Sequence, residues 1–264
     1  MNAINALLIP AFYFVAGLIM GKMINHLSQY LPHLITENGH EAPPGALVQH
    51  SVLKLEYCAC HPPVHWCDYL PVVSWLMLKG RCRACQAPIV AGYLWVELVC
   101  GMLLVCLALL FPLNITPALA VYSGFLLTLS LIDARTYLLP DTLTLPLLWL
   151  GLLFNSVSGN VSLADAVYGA VAGYMILWSL YWFFRLASGR EGLGYGDFKL
   201  LAALGAWNGW QMLPQITLLA AASGLLWAGL VRWKKGEWVS VLPFGPPLAA
   251  AGWLTLLVQW YVVR

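Results

Sequence analysis

The sequence predicts an all-α polytopic membrane protein with about eight transmembrane helices and a small cytoplasmic insert between the first and second helices. Three observations lead to this fold class: an apolar composition, eight apolar stretches and a one-sided distribution of basic residues. Of the 264 residues, 61% are hydrophobic and 9% are charged, and the mean hydropathy is +0.77. Soluble domains are roughly 45–50% apolar, so the composition excludes an ordinary soluble protein.

The apolar stretches are candidate membrane-spanning helices, and several approach the roughly 20 residues that a bilayer requires. The first lacks the basic start and the small-residue cleavage site of a signal peptide, so we treat it as a retained helix. The eight stretches cover residues 4–25, 93–112, 117–132, 142–156, 164–184, 198–213, 215–231 and 246–263.

The basic residues predict the orientation of these spans. With eight spans and a periplasmic N-terminus, the loops 26–92, 133–141, 185–197 and 232–245 lie in the cytoplasm. Twelve of the 13 Lys and Arg residues fall in or beside these loops, and only Arg264 lies on the other side. The positive-inside rule favours this arrangement. The net charge of +2 therefore reflects topology, and we expect no nucleic-acid partner.

Three segments follow from this pattern. Residues 1–25 form the first transmembrane helix, residues 26–92 form a cytoplasmic cysteine-rich domain, and residues 93–264 form the membrane-embedded domain. The middle segment is the one long polar stretch and holds five of the seven cysteines. Clustered cysteines in a reducing compartment favour a metal over disulfides.

The cysteine cluster resembles a structural zinc site. Cys82 and Cys85 form a C-x-x-C knuckle, whose turn directs two thiolates at one tetrahedral ion. The other half is irregular: Cys58 combines either with Cys60 or with His61, which restores the usual spacing with a nitrogen ligand. Unconnected reduced thiols are the alternative.

Five acidic residues lie in or next to the spans: Glu97, Asp133, Asp141, Asp165 and Asp197. A carboxylate near lipid costs a few kcal/mol, so such residues are functional candidates. The predicted topology places Asp165 at the outer end of its span and the other four acids at the cytoplasmic ends. For Glu97, a span boundary and support of an active site are equally good interpretations.

Asp133 and Asp197 are distant in sequence but are predicted at one membrane depth, where they could meet. Two paired carboxylates can hydrolyse a peptide without a covalent intermediate, because one activates water while the other donates a proton. Gly192, Gly194 and Gly196 precede or flank Asp197 and would let a substrate strand come close.

Other interpretations of these residues remain open. The two aspartates could form a proton relay in an ion-coupled transporter, or could be structural, with Asp133 paired to Arg135. A transporter, however, favours acids near the bilayer midplane and repeated broken helices. Asp141 could cap a helix after Pro140, and Lys199 could pair with a carboxylate or a lipid phosphate.

The segment "GLGYGDFKLLAALGAW" (192–207) resembles the G-x-G-D signature of the type IV prepilin leader peptidases. The resemblance extends to "LIDARTYLLPDTLTLPLLWLGLLFN" around Asp133, to "SWLMLKGRCRACQAPI" with "VEL" at 96–98, to "GLIMGKMIN" and to "LPFGPPLAAAGW". It thus covers most of the chain, although the first knuckle reads C-A-C-H where the family has C-x-x-C.

The resemblance implies an aspartic endopeptidase of the bacterial inner membrane, with Asp133 and Asp197 as its catalytic pair. From the residues themselves we expect Gly194 and Gly196 to shape the site, and Lys199, Asp141 and Glu97 to support it. The implied substrates are prepilins or type II secretion pseudopilins, whose short basic leader ends in Gly, and the implied partners are the pilus or secretion machinery and membrane lipid. Many family members also methylate the new N-terminus with S-adenosyl-L-methionine. A non-catalytic membrane subunit of such a machine is a third possibility.

Overall fold

The structure is a computed structural model that describes residues 3–37, 71–81, 86, 91–189, 194–235 and 242–262. Within these ranges the chain is helical. The α-helices are α1 (Ala3–Glu37), α2 (Val73–Met77), α3 (Gly92–Leu110), α4 (Thr116–Thr136), α5 (Asp141–Ser158), α6 (Leu163–Ser188), α7 (Tyr195–Asn208), α8 (Leu213–Lys235) and α9 (Gly245–Val262). A 3₁₀ turn, Trp210–Met212, joins α7 to α8.

Five helices of the described residues are long and apolar enough to cross a membrane. Their spanning segments are Leu8–Pro32, Gly92–Leu110, Thr116–Thr136, Leu163–Ser188 and Trp210–Lys234. The protein is therefore a polytopic integral membrane protein, as the composition predicts. Helices α5, α7 and α9 coincide with the other predicted spans but are not among the five, so eight crossings remain a prediction.

The chain divides into two compact units, residues 1–124 and 125–264. In the first unit α1 packs along α3. The side-chain amide of Asn25 donates to the carbonyl of Tyr93 at 3.0 Å. Helix α1 runs on to Glu37, although the predicted span ends at residue 25. The segment after residue 25 is too polar to be predicted as a membrane span. It can still form a helix, because a helix does not need every face to be apolar.

In the second unit α7 is the central helix. Eleven of its 14 residues are buried, and α5, α6 and α9 all pack against it. A helix that is apolar on all sides is buried either in protein or in lipid, and here protein surrounds most of it. Its 14 residues extend about 21 Å at 1.5 Å per residue, short of the roughly 30 Å hydrocarbon core.

At Gly169 and Gly205, helices α6 and α7 approach so closely that no side chain fits between them. A Cβ atom added at Gly205 would overlap the carbonyl oxygen of Gly169, and one added at Gly169 would overlap the carbonyl oxygen of Gly205. Small residues allow such backbone contact between helices in a membrane. The glycines of this pair therefore fix the position of α7 against α6.

The ends of these helices follow local rules. Ser162 caps α6, because its hydroxyl accepts the backbone N–H of Asp165 at 3.0 Å. Helix α7 ends at Asn208, whose amide donates back to the carbonyl of Leu204 at 2.9 Å, and Gly209 follows with φ +81°. The predicted span 198–213 is wrong about this end, because hydropathy does not detect a glycine break between two apolar segments.

Candidate active site

Asp133 lies in the last turn of α4, and its side chain is buried. The residue is 5% exposed. Its carboxylate oxygen Oδ2 accepts the backbone N–H of Gly245, the first residue of α9, at 2.8 Å. A buried carboxylate requires such a donor, since an unpaired charge away from water is costly. The contact joins residues 112 positions apart in the chain.

Asp197 lies in the first turn of α7 and is also buried, at 7% exposure. Asp133 lies near enough for its charge to affect Asp197, and the backbone of Gly194 hydrogen-bonds to the Asp197 carboxylate. The structure thus brings the two predicted aspartates into one site. Each carboxylate is held by the backbone of a glycine at the start of a helix, where the helix dipole favours negative charge.

Asp141 and Lys199 form an ion pair beside this site. The Nζ atom of Lys199 donates to both carboxylate oxygens of Asp141, at 2.6 and 2.7 Å. The Lys199 side chain is 32% exposed and the Asp141 side chain is 54% exposed. The helix-cap interpretation of Asp141 is wrong: Pro140 is the N-cap of α5, with no side-chain capping bond. Asp141 instead lies in the first turn and connects α5 to α7.

The glycines around Asp197 have distinct surroundings. Gly194 is the N-cap of α7. Gly196 packs on Leu139, because an added Cβ would lie 2.7 Å from the Cβ of that leucine. Gly192 lies outside the described residues. The glycine-rich segment therefore lets α7 begin close to the chain between α4 and α5, in addition to any role towards a substrate.

An aromatic cluster adjoins Asp197 on its own helix. Phe198 packs edge-on against Tyr195, Tyr181 and Tyr174, with ring centroids 5.5–6.0 Å apart. The hydroxyl of Tyr195 donates to that of Tyr181 at 3.1 Å. Such stacks add about 0.5–1.5 kcal/mol per pair beyond the area they bury. They fix the first turn of α7, which carries Asp197.

Glu97 lies in α3, in the first compact unit, and is 6% exposed. Its Oε2 atom accepts the backbone N–H of Val72 at 2.6 Å. Val72 has φ +61° and directly precedes α2. Within its own unit, Glu97 therefore fastens the segment that leads into α2. Its predicted support of the catalytic pair stays a prediction.

The predicted metal ligands Cys58, Cys60, His61, Cys82 and Cys85 lie outside the described residues. Within the described ranges, no group of three or more His, Cys, Asp or Glu residues could hold a metal ion. Cys100 is buried and Cys106 is exposed, and both are free thiols. Zinc and S-adenosyl-L-methionine therefore stay predictions, and no chemical step is derived through either.

Sequence reasoning missed Gly245 as part of the site. The available signal was the "FGPP" segment (244–247), where a glycine and two prolines start a helix. This pattern predicts a helix N-terminus, but it does not indicate which side chain lies there.

Two protein-family models match this chain. Residues 120–229 match the type IV leader peptidase family, and residues 15–111 match the bacterial peptidase A24 N-terminal domain. No solved structure matches the chain significantly.

Several curated relatives are named prepilin leader peptidase/N-methyltransferase. The relative from Aeromonas hydrophila is 43% identical over 95% of this chain and 93% of its own length. That from Aeromonas salmonicida is 50% identical over 77% of this chain and 72% of its own length. The Stutzerimonas stutzeri protein is 42% identical over 97% and 92%, respectively. This chain belongs to the type IV leader peptidase family.

Proposed function

We propose that this protein is a membrane aspartic endopeptidase that removes the leader from type IV prepilins or type II secretion pseudopilins. One observation carries the proposal: Asp133 and Asp197 are both buried and interact through their charges, in a chain that belongs to a leader peptidase family. Buried interacting carboxylates are the arrangement that acid–base hydrolysis requires.

The chemistry divides between the two aspartates. One carboxylate takes a proton from a water molecule, and the oxygen of that water attacks the scissile carbonyl carbon. The other carboxyl group donates its proton to the carbonyl oxygen, which gives a tetrahedral diol. As the C–N bond breaks, the first carboxyl group passes the proton it took from water to the leaving nitrogen, and the second takes a proton back from the diol as the new carboxyl product forms. The pair titrates as a unit, so the roles of base and acid belong to the pair.

The predicted topology fits this substrate. Eight crossings with a periplasmic N-terminus and a cytoplasmic insert put Asp133 and Asp197 at the cytoplasmic face, where a basic leader lies. The lysine and arginine distribution supports the orientation. The substrate's hydrophobic helix would remain in the lipid, and the pilus or secretion machinery would receive the mature protein.

The N-terminal part of the chain carries a second proposed activity. Three relatives reported above are named as N-methyltransferases as well as peptidases. We assign methylation of the newly exposed amine to the insert 26–92, with S-adenosyl-L-methionine as the methyl source and a structural zinc at the cysteines. A zinc content well below one per chain would contradict the zinc assignment.

The cleavage test uses a co-expressed prepilin-like substrate, with processing followed on a gel and membrane insertion checked. Asp133→Asn and Asp197→Asn should each lower cleavage by about 10²–10⁴-fold, the usual contribution of a general acid or base. Asp165→Asn is the matched control, because Asp165 lies in the first turn of α6 and accepts the indole N–H of Trp210 at 2.8 Å. It should cut normally.

If Asp133→Asn and Asp197→Asn still process the substrate at wild-type levels, the peptidase assignment of the aspartates is wrong. A proton relay in a transporter would then be the better explanation of their burial. The transporter interpretation has no support from the relatives, which carry peptidase names.

A further inference from the structure

We propose that Gly245, at the start of α9, is a positioning residue for the carboxylate of Asp133. The inference rests on the proposed function, since it treats Asp133 as one of the catalytic pair. Gly245 would act in two ways: its backbone N–H holds one carboxylate oxygen, and its missing side chain leaves room for the carboxylate itself.

The first way follows from the donors available at the start of α9. The first four N–H groups of a helix have no partner inside the helix. In α9 two of these positions are Pro246 and Pro247, which carry no N–H. The N–H of Leu248 is bonded to the carbonyl of Phe244 at 3.1 Å. Gly245 supplies the remaining N–H, and this one donates to Asp133.

The hydrogen bond fixes one side of the carboxylate. It occupies Oδ2 at 2.8 Å and leaves Oδ1 for a water molecule or a substrate. Because α9 packs against α7, this donor belongs to the same packed unit as Asp197. The orientation of Asp133 towards its partner is therefore set by helix packing, and does not depend on a mobile side chain.

The second way follows from the space around Gly245. An added Cβ would lie 2.7 Å from Oδ2, 2.9 Å from Cγ and 3.0 Å from Cβ of Asp133. Contacts this short force one group to move, and the obstructing atoms are those of the carboxylate and its base. The φ angle of Gly245 is outside the left-handed region. Alanine there would therefore clash with Asp133 but would not strain the backbone.

Gly194 offers a matched comparison at the other aspartate. A Cβ added there would lie 3.4 Å from Oδ2 of Asp197, and its φ of −78° and ψ of 142° suit any residue. Alanine keeps the backbone N–H at both positions. The two substitutions therefore differ in how strongly they crowd their aspartate.

The kinetic test compares Gly245→Ala, Gly194→Ala and Gly229→Ala, the last being a control with nothing within 4 Å of its added Cβ. Gly245→Ala should lower kcat by about 100-fold, the typical effect of displacing a catalytic group by about 1 Å. Its KM should change less than about twofold, because Gly245 orients a carboxylate and does not bind the substrate. Gly194→Ala should lower kcat only a few-fold. If Gly245→Ala cuts as well as Gly229→Ala, the proposal is overturned.

A stability test keeps the inference separate from the peptidase assignment. The midpoint of thermal unfolding is measured for Gly245→Ala in the wild-type and in the Asp133→Ala background. Crowding against the carboxylate predicts a drop in the first background and a much smaller drop in the second. Should Gly245→Ala fail to accumulate, Asp133→Ala/Gly245→Ala should still accumulate. Equal drops, or two variants that both fail to accumulate, would overturn the proposal. This result can be read even if Asp133→Asn still cleaves and the proposed function fails.

Discussion

The first and last turns of α7 differ in how they are stabilised. The first turn carries Asp197 and Lys199, which interact with Asp133 and Asp141, respectively. The last turn is stabilised by uncharged groups: the amide of Asn155 donates to the carbonyls of Ala206 and Trp207, at 2.8 and 3.1 Å.

The two ends of α7 therefore have different roles: the last turn stabilises the fold, and the first turn carries the reactive groups. At the last turn, the indole N–H of Trp207 donates to the carbonyl of Leu147 at 2.9 Å, and its ring stacks on Phe154. These contacts give the carbonyls of Ala206 and Trp207 and the indole N–H of Trp207 uncharged partners. At the first turn the buried polar groups are the carboxyl groups of acids. We expect substitutions near the last turn to unfold the protein and substitutions near the first turn to affect catalysis.

The largest effect should come from Gly205→Ala, near the last turn. The new Cβ would overlap the backbone carbonyl oxygen of Gly169, and a backbone atom cannot rotate away. We expect the free energy of unfolding to fall by about 3 kcal/mol, the upper part of the range for overpacked sites. Thermal unfolding in detergent measures this, with Gly229→Ala as the control. Equal midpoints for the two variants would contradict the close packing of α6 and α7.

An intermediate effect is expected from Asn155→Leu, which removes both hydrogen bonds to the end of α7. Two buried carbonyls would lose their donor, and one buried group left unpaired lowers the free energy of unfolding by about 1–3 kcal/mol. Cleavage at a temperature where the variant stays folded should match that of the wild type. The control is Asn160→Leu, since the amide nitrogen of Asn160 has no hydrogen-bond partner in the part of the chain described. A lower kcat in folded Asn155→Leu would contradict the view that the last turn of α7 serves stability alone.

The smallest effect on stability should come from Lys199→Met, at the first turn. The pair with Asp141 is partly exposed, and such ion pairs contribute about 0–1 kcal/mol. Cleavage should still fall a few-fold, because Lys199 links the turn that carries Asp197 to the start of α5.

The charge-swapped double variant Lys199→Asp/Asp141→Lys distinguishes a pairing role from a role of either charge alone. It should recover part of the lost cleavage. If Lys199→Met cuts normally, the pair belongs to the surface and has no part in supporting the site.

Local sequence patterns predicted the helices well, because each lipid-sized apolar stretch has its own hydropathy signal. They also selected Asp133 and Asp197, since acids are rare next to such stretches. They could not predict that α7 is surrounded by protein, because hydropathy scores lipid and protein neighbours alike. The contact between Gly245 and Asp133 was equally hidden, as it depends on how α9 packs. The roles of the aspartates and the cysteine ligands remain predictions.

The glycine contact between α6 and α7 also has a consequence for motion. Two helices in backbone contact cannot slide past each other without breaking that contact, so α6 and α7 should move as one rigid piece. A hydrophobic substrate helix must nevertheless reach carboxylates that are buried. The opening that admits it should therefore lie away from the α6–α7 contact, and α6 with α7 should serve as the fixed wall.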